Sequence, residues 1–251
     1  MRSAQDCQST PWATFDFQAA YDELNPTDDD YRFYVDLAAS LGATRAVDLG
    51  CGTGTLARSL ASRGLEVVGV DPDPDMLRVA GSKDRNAWVD WRLGYSDVLE
   101  PELGDFAVMS GHVAQVFTDD EAWIAALSDL HEALVEGGTL AFESRNPSAR
   151  KWKGWTRELT LRTVDTPDGG VEFWHETAAV SLPVVSYHTL TRNVRTGEST
   201  TECDTLAFRD EEALRASVER VGFQIADVFG DWDRTPPMAD SPELIMIARK
   251  R

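Results

Sequence analysis

Short apolar runs alternate with amphipathic segments from about residue 28 to residue 145. Runs such as Arg45 to Leu49 are as long and as apolar as buried strands. Between the runs, apolar residues recur every three or four positions, which predicts helices packed on a sheet. Predicted helices cover Asp28–Leu41, Thr55–Ser62, Pro74–Ala80 and Asp119–Val135, and predicted strands cover Arg45–Leu49, Glu66–Val70, Trp88–Leu93, Asp105–Ser110 and Thr139–Glu143.

The pattern changes near Asn146. Residues 156 to 208 are rich in Thr, Val and aromatic side chains, with turn signals at Pro167-Asp168-Gly169-Gly170 and at Arg195-Thr196-Gly197. This predicts antiparallel strands inserted into an α/β chain. A helix from Asp210 to Val221 and strands over Phe223–Phe229 and Glu243–Ala248 follow. We therefore expect one domain over residues 1–251, with a Rossmann-like doubly wound sheet and a β-rich insert at about 150–208.

The composition narrows the class of protein. The 24 basic and 43 acidic residues give a net charge of −19, which disfavours nucleic-acid binding. No apolar run is long enough for a transmembrane helix, so no membrane partner is expected. Three widely spaced cysteines and a polar N-terminal segment favour a reducing cytoplasm without a disulfide framework. No Cys/His cluster has zinc spacing, so we expect no metal.

The stretch AVDLGCGTGTLA, Ala46 to Ala57, carries the clearest chemistry. Glycines at alternate positions follow a strand and precede a helix, where a ligand can lie against bare backbone. Asp71 ends the next strand and supplies a carboxylate. The spacing differs from the G-x-G-x-x-G of NAD-binding folds. Asp48 also suits a cationic ligand better than a diphosphate, which favours a cofactor with an amino group and a sulfonium.

This stretch resembles the first motif of class I S-adenosylmethionine-dependent methyltransferases. VVGVDPDPDML, GYSDVLE, EGGTLAFES and RASVERVGFQIADVFG resemble later motifs of that family, so the likeness covers about Tyr21 to Arg145 and Leu206 to the end. The resemblance implies a seven-stranded sheet whose last strand is antiparallel, and S-adenosyl-L-methionine as cofactor.

The resemblance also implies which residues hold the cofactor. Gly50, Cys51 and Gly52 would lie under its methionine part, Asp71 would bind the ribose hydroxyls, Pro72 and Met76 would flank the adenine, Asp97 would accept from the adenine amine, Ser110 and Gly111 would border the methionine moiety, and Tyr21 would close over the site. Asp48 has an alternative role in binding loop amides, Met76 one in the core, and Asp97 one as a turn residue.

Methyl transfer needs positioning more than acid–base chemistry, so no catalytic residue is obligatory. His112, which follows the fourth strand, is the candidate base, although it equally fits a purely shaping role. In the insert, we expect a lid that selects the acceptor; its aromatics equally fit a packed small sheet or a dimer contact. The candidate acceptor-binding residues are Arg145, Trp155, His175, Tyr187 and His188.

These observations favour a small-molecule N- or O-methyltransferase that acts as a monomer or homodimer. Three alternatives stay open. The first is a methyltransferase of a macromolecule, RNA or protein, which the charge disfavours. The second is a protein that binds S-adenosylmethionine without catalysis. The third is a nicotinamide-dependent dehydrogenase.

Overall fold

A computed structural model describes residues 17–25, 29–166 and 169–251. Within these ranges the chain divides into two units. One contains residues 29–149 and 209–251, and is called the sheet unit below. The other contains residues 17–25 and 150–208, and is called the insert unit. Each is described by itself.

Seven strands form one twisted sheet in the sheet unit, in the order β10-β11-β5-β4-β1-β2-β3. Valine and other apolar residues dominate the central strands because both faces of the sheet are covered. The strands are β1 Arg45–Leu49, β2 Glu66–Asp71, β3 Val89–Leu93, β4 Gly104–Met109, β5 Leu134–Arg145, β10 Phe223–Phe229 and β11 Glu243–Lys250.

Five helices flank this sheet: α2 Asp29–Leu41, α3 Thr55–Ala61, α4 Pro74–Lys83, α5 Asp120–Ala133 and α7 Glu211–Arg220. Aspartates cap three of them, because a carboxylate accepts the unpaired amides of a first helical turn: Asp73 for α4, Asp119 for α5 and Asp210 for α7. The helix expected from Asp28 begins at Asp29 in the structure, and Asp28 lies outside the described residues.

Two apolar clusters form the core of the sheet unit, one on each face. Helices α5 and α7 supply one cluster, while α2 and α3 supply the other. Strands β1 to β5 run parallel, and β11 runs antiparallel to both β5 and β10. The predicted doubly wound sheet with one antiparallel last strand is therefore confirmed.

One predicted boundary is wrong. The sequence predicts a helix over Asp119–Val135 that the Gly137-Gly138 pair ends, but helix α5 ends at Ala133. Leu134 already pairs with Gly104 of β4, and the register between β4 and β5 shifts immediately afterwards. The glycines therefore lie within strand β5, where Gly137 takes a positive φ of 79°. Sheet pairing has outweighed the local helix-stop signal.

The insert unit contains a four-stranded antiparallel sheet in sequential order, as predicted. Helix α1 Phe17–Leu24 and the short α6 Arg157–Thr160 belong to the same unit, and Leu24 packs against this sheet. The turn at Arg195-Thr196-Gly197 closes one hairpin, while Pro167 and Asp168 lie outside the described residues. The strands are β6 Arg162–Thr166, β7 Gly169–Ser181, β8 Val184–Asn193 and β9 Ser199–Ala207.

The cysteines differ from expectation in one respect. Cys51 is free and buried, but Cys203 is disulfide-bonded, whereas the sequence predicts no disulfide framework. Cys7 lies outside the described residues. None of the helices in the described part of the chain is long and apolar enough to cross a membrane.

Candidate functional site

The glycine-rich turn lies between β1 and α3 and is fastened to β2. The amides of Gly50 and Cys51 both donate to the Val70 carbonyl, at 2.8 and 3.0 Å. Gly50, Gly52 and Gly54 all have positive φ, at 76°, 53° and 76°. A Cβ on Gly50 or Gly54 would lie within 2.4 Å of a neighbouring side chain, whereas one on Gly52 would meet nothing within 4 Å. Of the three, Gly52 is therefore the one with open space above its backbone.

The Asp71 side chain is hydrogen-bonded to this turn and to the loop after β2. Its Oδ2 accepts from the Gly52 amide at 2.8 Å, and its Oδ1 accepts from the Asp73 amide at 2.9 Å. Burial raises the pKa of Asp71, while these two amides oppose the rise. Because each carboxylate oxygen has two acceptor positions, both oxygens keep one for a pair of adjacent hydroxyls.

Asp48 is the most unusual polar group of the sheet unit. Its side chain is fully buried, and neither carboxylate oxygen has a hydrogen-bond partner among the described residues. Burial, and then the nearby carboxylate of Asp71, raises the pKa of Asp48 to about 7. The Ala57 amide opposes this rise but does not reach hydrogen-bond geometry. A buried carboxyl without a compensating hydrogen bond is suited to a cationic ligand.

The residues predicted to contact the adenine lie in the segments that follow β2 and β3. Pro72 is exposed, and Met76 is half-buried in the first turn of α4, whose first amides are capped by Asp73. Asp97 is exposed in a short helical turn. Parallel strands bring their carboxyl ends to one edge of a sheet. These residues therefore lie at the same edge as the glycine-rich turn.

Ser110, Gly111 and His112 follow β4 at that edge. Ser110 is buried, and His112 has a left-handed backbone with φ of 65°. The His112 amide donates to Glu143 Oε1 at 2.5 Å, and His112 Nε2 lies 3.0 Å from Glu243 Oε2. His112 is thus held at both its backbone and its ring by carboxylates from two other strands.

Arg145 ends β5 and is held by the loop that follows β4. Its Nη1 donates to Gln115 Oε1 at 2.9 Å, and Gln115 itself is fully buried. A guanidinium held in this way has a defined orientation.

The insert unit brings three of the four other predicted acceptor-binding residues together. The rings of Trp155 and Tyr187 are 4.9 Å apart, and those of His175 and Tyr187 are 5.3 Å apart. Buried Thr189 joins His175 to an acid: its Oγ1 lies 3.2 Å from His175 Nδ1 and donates to Asp204 Oδ2 at 3.4 Å. Burial raises the pKa of Asp204. We call these five residues the insert cluster.

His188 does not join the insert cluster. It lies between Tyr187 and Thr189 on β8, so its side chain points to the opposite face of the sheet, where it pairs with Glu176 and Cys203. Tyr21 lies in α1 of the same unit and is half-buried.

Sequence reasoning missed the acids and the phenol that surround His112. Glu143 interrupts an apolar strand, which is a detectable signal. Glu243 and Tyr34 carry no such signal, because their contacts depend on an antiparallel register and on helix packing over a sequence separation of more than a hundred residues.

The residues of the glycine-rich turn fit S-adenosylmethionine. Asp48 is a buried acid without a partner in the described chain, Gly52 has open space above it, and Asp71 keeps acceptor positions for two hydroxyls. A ligand with an amino group, a sulfonium and a ribose matches this donor and acceptor set.

Comparisons with known proteins agree with this fit. Residues 46–138 match the family described as "Methyltransferase domain". The ubiquinone biosynthesis O-methyltransferase of Chromobacterium violaceum is 32% identical over 134 residues, which is 52% of this chain and 55% of the relative. The chain therefore spans about half the length of this curated relative.

Solved structures share the fold over nearly the whole chain. The CcbJ methyltransferase of Streptomyces caelestis superposes with a TM-score of 0.78 at 22% identity, covering 93% of this chain and 96% of that one. CalS10 of Micromonospora echinaspora, an amino pentose methyltransferase solved with S-adenosylmethionine bound, has a TM-score of 0.68 at 18% identity, covering 97% and 100%. At such identities the likeness establishes the fold.

Proposed function

We propose that this chain transfers a methyl group from S-adenosylmethionine to a small-molecule acceptor. Residues 46–138 match a methyltransferase domain, and the chain shares its fold with a methyltransferase solved with S-adenosylmethionine bound. The observation that carries the proposal is the glycine-rich turn. There Asp48 is buried without a hydrogen-bond partner among the described residues, Asp71 accepts from two amides, and a Cβ on Gly52 would meet open space.

In this proposal, residues of the glycine-rich turn and of the neighbouring loops each contact a different part of the cofactor. Asp48 neutralises the cofactor's amino group, and the Gly52 backbone lies against the methionine part. Asp71 accepts from the ribose hydroxyls while two amides fix its orientation. Pro72 and Met76 flank the adenine, with Asp97 as acceptor for its amine, Ser110 and Gly111 beside the sulfur end, Cys51 beneath the ligand, and Tyr21 as its cover. The bound cofactor supplies an already activated methyl group on a sulfonium.

The acceptor is a hydroxyl or amine compound. The curated relative is an O-methyltransferase and one structural neighbour acts on an amino pentose, so both atom types are represented. We assign acceptor binding to the insert cluster, whose rings and polar chain suit a small polar molecule with an apolar face. Arg145 adds a fixed guanidinium for a carboxylate or phosphate on the acceptor.

We propose a monomer or homodimer without nucleic-acid partners, given the charge of −19. A cytoplasmic location fits the free thiol of Cys51, whereas the disulfide at Cys203 points the other way. Thiol alkylation and mass spectrometry of protein taken directly from cells would decide this. Alkylation of both Cys7 and Cys203 would support a cytoplasmic location, and an unreactive Cys203 would contradict it.

Two experiments test the function. Calorimetric titration with S-adenosylmethionine, S-adenosylhomocysteine and NAD should show binding of the first two only. Binding of NAD alone would establish a dehydrogenase instead. Tritium transfer from labelled S-adenosylmethionine to small hydroxyl and amine compounds, to RNA and to protein then separates the remaining alternatives. Cofactor binding without transfer to any of them would leave a binding protein.

A further inference from the structure

Four side chains from four separate elements meet beside the turn after β4. His112 Nε2 lies 3.0 Å from Glu243 Oε2 at the start of β11, and the His112 amide donates to Glu143 Oε1 on β5. Tyr34 Oη of α2 donates to the other oxygen of Glu143. The side chains of His112 and Glu243 are only 20% and 11% exposed.

Hydrogen bonds hold the backbone of His112 as well as its ring. A left-handed backbone is unfavourable for a residue with a Cβ, and two hydrogen bonds oppose that cost. One is the amide bond to Glu143, and the other runs from the Gln115 amide to the His112 carbonyl at 2.9 Å. Burial raises the pKa of Tyr34 well above its ordinary value, so the phenol stays protonated and keeps donating to Glu143.

The ring has one engaged nitrogen and one available nitrogen. A carboxylate accepts hydrogen bonds, so a neutral His112 facing Glu243 carries its proton on Nε2. Nδ1 is then an unprotonated acceptor, and it makes no hydrogen bond within the described residues. The charged or titratable groups that face this pair are Glu143 from β5 and Tyr34 from α2, with Asp30 acting on Tyr34.

We propose that Glu243 is a positioning residue that orients His112 as the general base of methyl transfer, with Nδ1 receiving the acceptor's proton. The inference rests on the proposed function and deepens it, because a held base is useful only where the acceptor must lose a proton. The acceptor atom is therefore a hydroxyl oxygen or a protonated amine nitrogen.

His112 Nδ1 accepts the acceptor's proton, before the attack where the acceptor is a protonated amine and during it where the acceptor is a hydroxyl. The acceptor lone pair forms the bond to the methyl carbon while the carbon–sulfur bond breaks and its electron pair goes to sulfur. The proton passes from Nδ1 to water. Glu243 stabilises the imidazolium while it exists, as the carboxylate partner of a catalytic histidine does in hydrolytic triads.

Long-range proton–nitrogen NMR of the histidine rings tests the pair without any acceptor. The chain has four histidines, so the His112 signals can be assigned by their loss in His112→Asn. We expect the Nε2–H tautomer in the wild-type protein. In Glu243→Gln we expect a mixed or reversed tautomer, since the side-chain amide can donate to Nε2 as well as accept from it. The exposed Glu136→Gln is the matched control and should leave the His112 tautomer unchanged.

Kinetics give the second readout, with catechol as the hydroxyl probe and D-glucosamine as the amine probe. His112→Asn should lower kcat by about 10²-fold or more, and Glu243→Gln by about 10-fold or more, at unchanged affinity for S-adenosylhomocysteine. An Nδ1–H tautomer in the wild type, or a Glu243→Gln variant that keeps the wild-type Nε2–H tautomer, would overturn the role of the pair alone. A wild-type protein that does not bind S-adenosylhomocysteine would overturn the proposed function and the role of the pair with it.

Discussion

Replacing Gly52 by alanine tests the cofactor site against a matched control in the same unit. Gly52 and Gly42 both have left-handed backbones, with φ of 53° and 66°. A Cβ at either position would meet nothing within 4 Å. The two substitutions therefore impose the same backbone cost and no clash with the protein, but only Gly52 lies in the proposed site.

The expected loss of stability is equal and small. A left-handed alanine costs about 1–2 kcal/mol, and the stiffer unfolded chain returns about 0.4–1 kcal/mol. The free energy of unfolding should fall by about 1 kcal/mol, which lowers Tm by about 2–4 °C in a chain of this size. The effects on ligand binding should differ. A methyl group on Gly52 occupies the space of the methionine part, so the affinity for S-adenosylhomocysteine should fall by about 100-fold, or about 2.7 kcal/mol.

Thermal unfolding of the apo proteins and calorimetric titration with S-adenosylhomocysteine measure the two quantities separately. We expect equal Tm values for Gly52→Ala and Gly42→Ala, with weakened binding in Gly52→Ala alone. Equal affinities in the two variants would refute the argument that the ligand lies against the Gly52 backbone. A much lower Tm for Gly52→Ala would show instead that the turn itself had been disrupted.

Three further predictions follow from the same structure. Asp71→Asn should weaken S-adenosylhomocysteine binding by about 10–100-fold, since a hydrogen bond to a charged group is worth about 1.5–3 kcal/mol; wild-type affinity in calorimetry would exclude Asp71 as the ribose acceptor. The pKa of Asp48 is raised from 3.8 to about 7 in the native state, so between these pH values the native state binds more protons than the unfolded state. The free energy of unfolding therefore falls as pH rises from about 4 to 7. Asp48→Asn should therefore raise the unfolding free energy by about 2–4 kcal/mol at pH 8 and by little at pH 4, and a pH-independent effect in denaturant titrations would contradict the raised pKa. Trp155→Ala and Tyr187→Ala should raise the acceptor KM without changing cofactor affinity, and equal losses in both would count against the insert cluster as the acceptor site.

The donor side of the site could be predicted because it is local in sequence. Gly50, Gly52 and Asp48 lie within five residues of one another, and Asp71 ends the strand that pairs with their own strand. The strand, the turn, the helix and the acid can therefore be recognised together from a short stretch of sequence. The strands and helices are predictable for the same reason, since each has its own local apolar period.

The remaining parts depend on contacts that no local pattern encodes. Helix α5 was expected to continue to Val135, but pairing of Leu134 with Gly104 ended it earlier. His188 is a candidate because it is a histidine in the insert, but it is adjacent to Tyr187 on β8, and adjacent strand residues face opposite sides. Glu243 reaches His112 through the antiparallel register of β11 with β5, which places Glu243 opposite Arg145. Such a register follows from tertiary pairing and leaves no trace in a single sequence.

Two pairs of acids at the sheet edge differ in their partners: Asp48 and Asp71 on the cofactor side, and Glu143 and Glu243 beside His112. Asp48 and Asp71, at the ends of β1 and β2, have no cationic partner in the described chain, so Asp48 stays partly protonated near neutral pH. A cationic ligand removes that penalty by supplying the missing charge, and cofactor affinity should rise with pH through about 7. Glu143 and Glu243 already have Tyr34 and His112 as partners. Their oxygens accept hydrogen bonds from within the protein, so the arrangement of this half of the edge does not depend on the cofactor's charge.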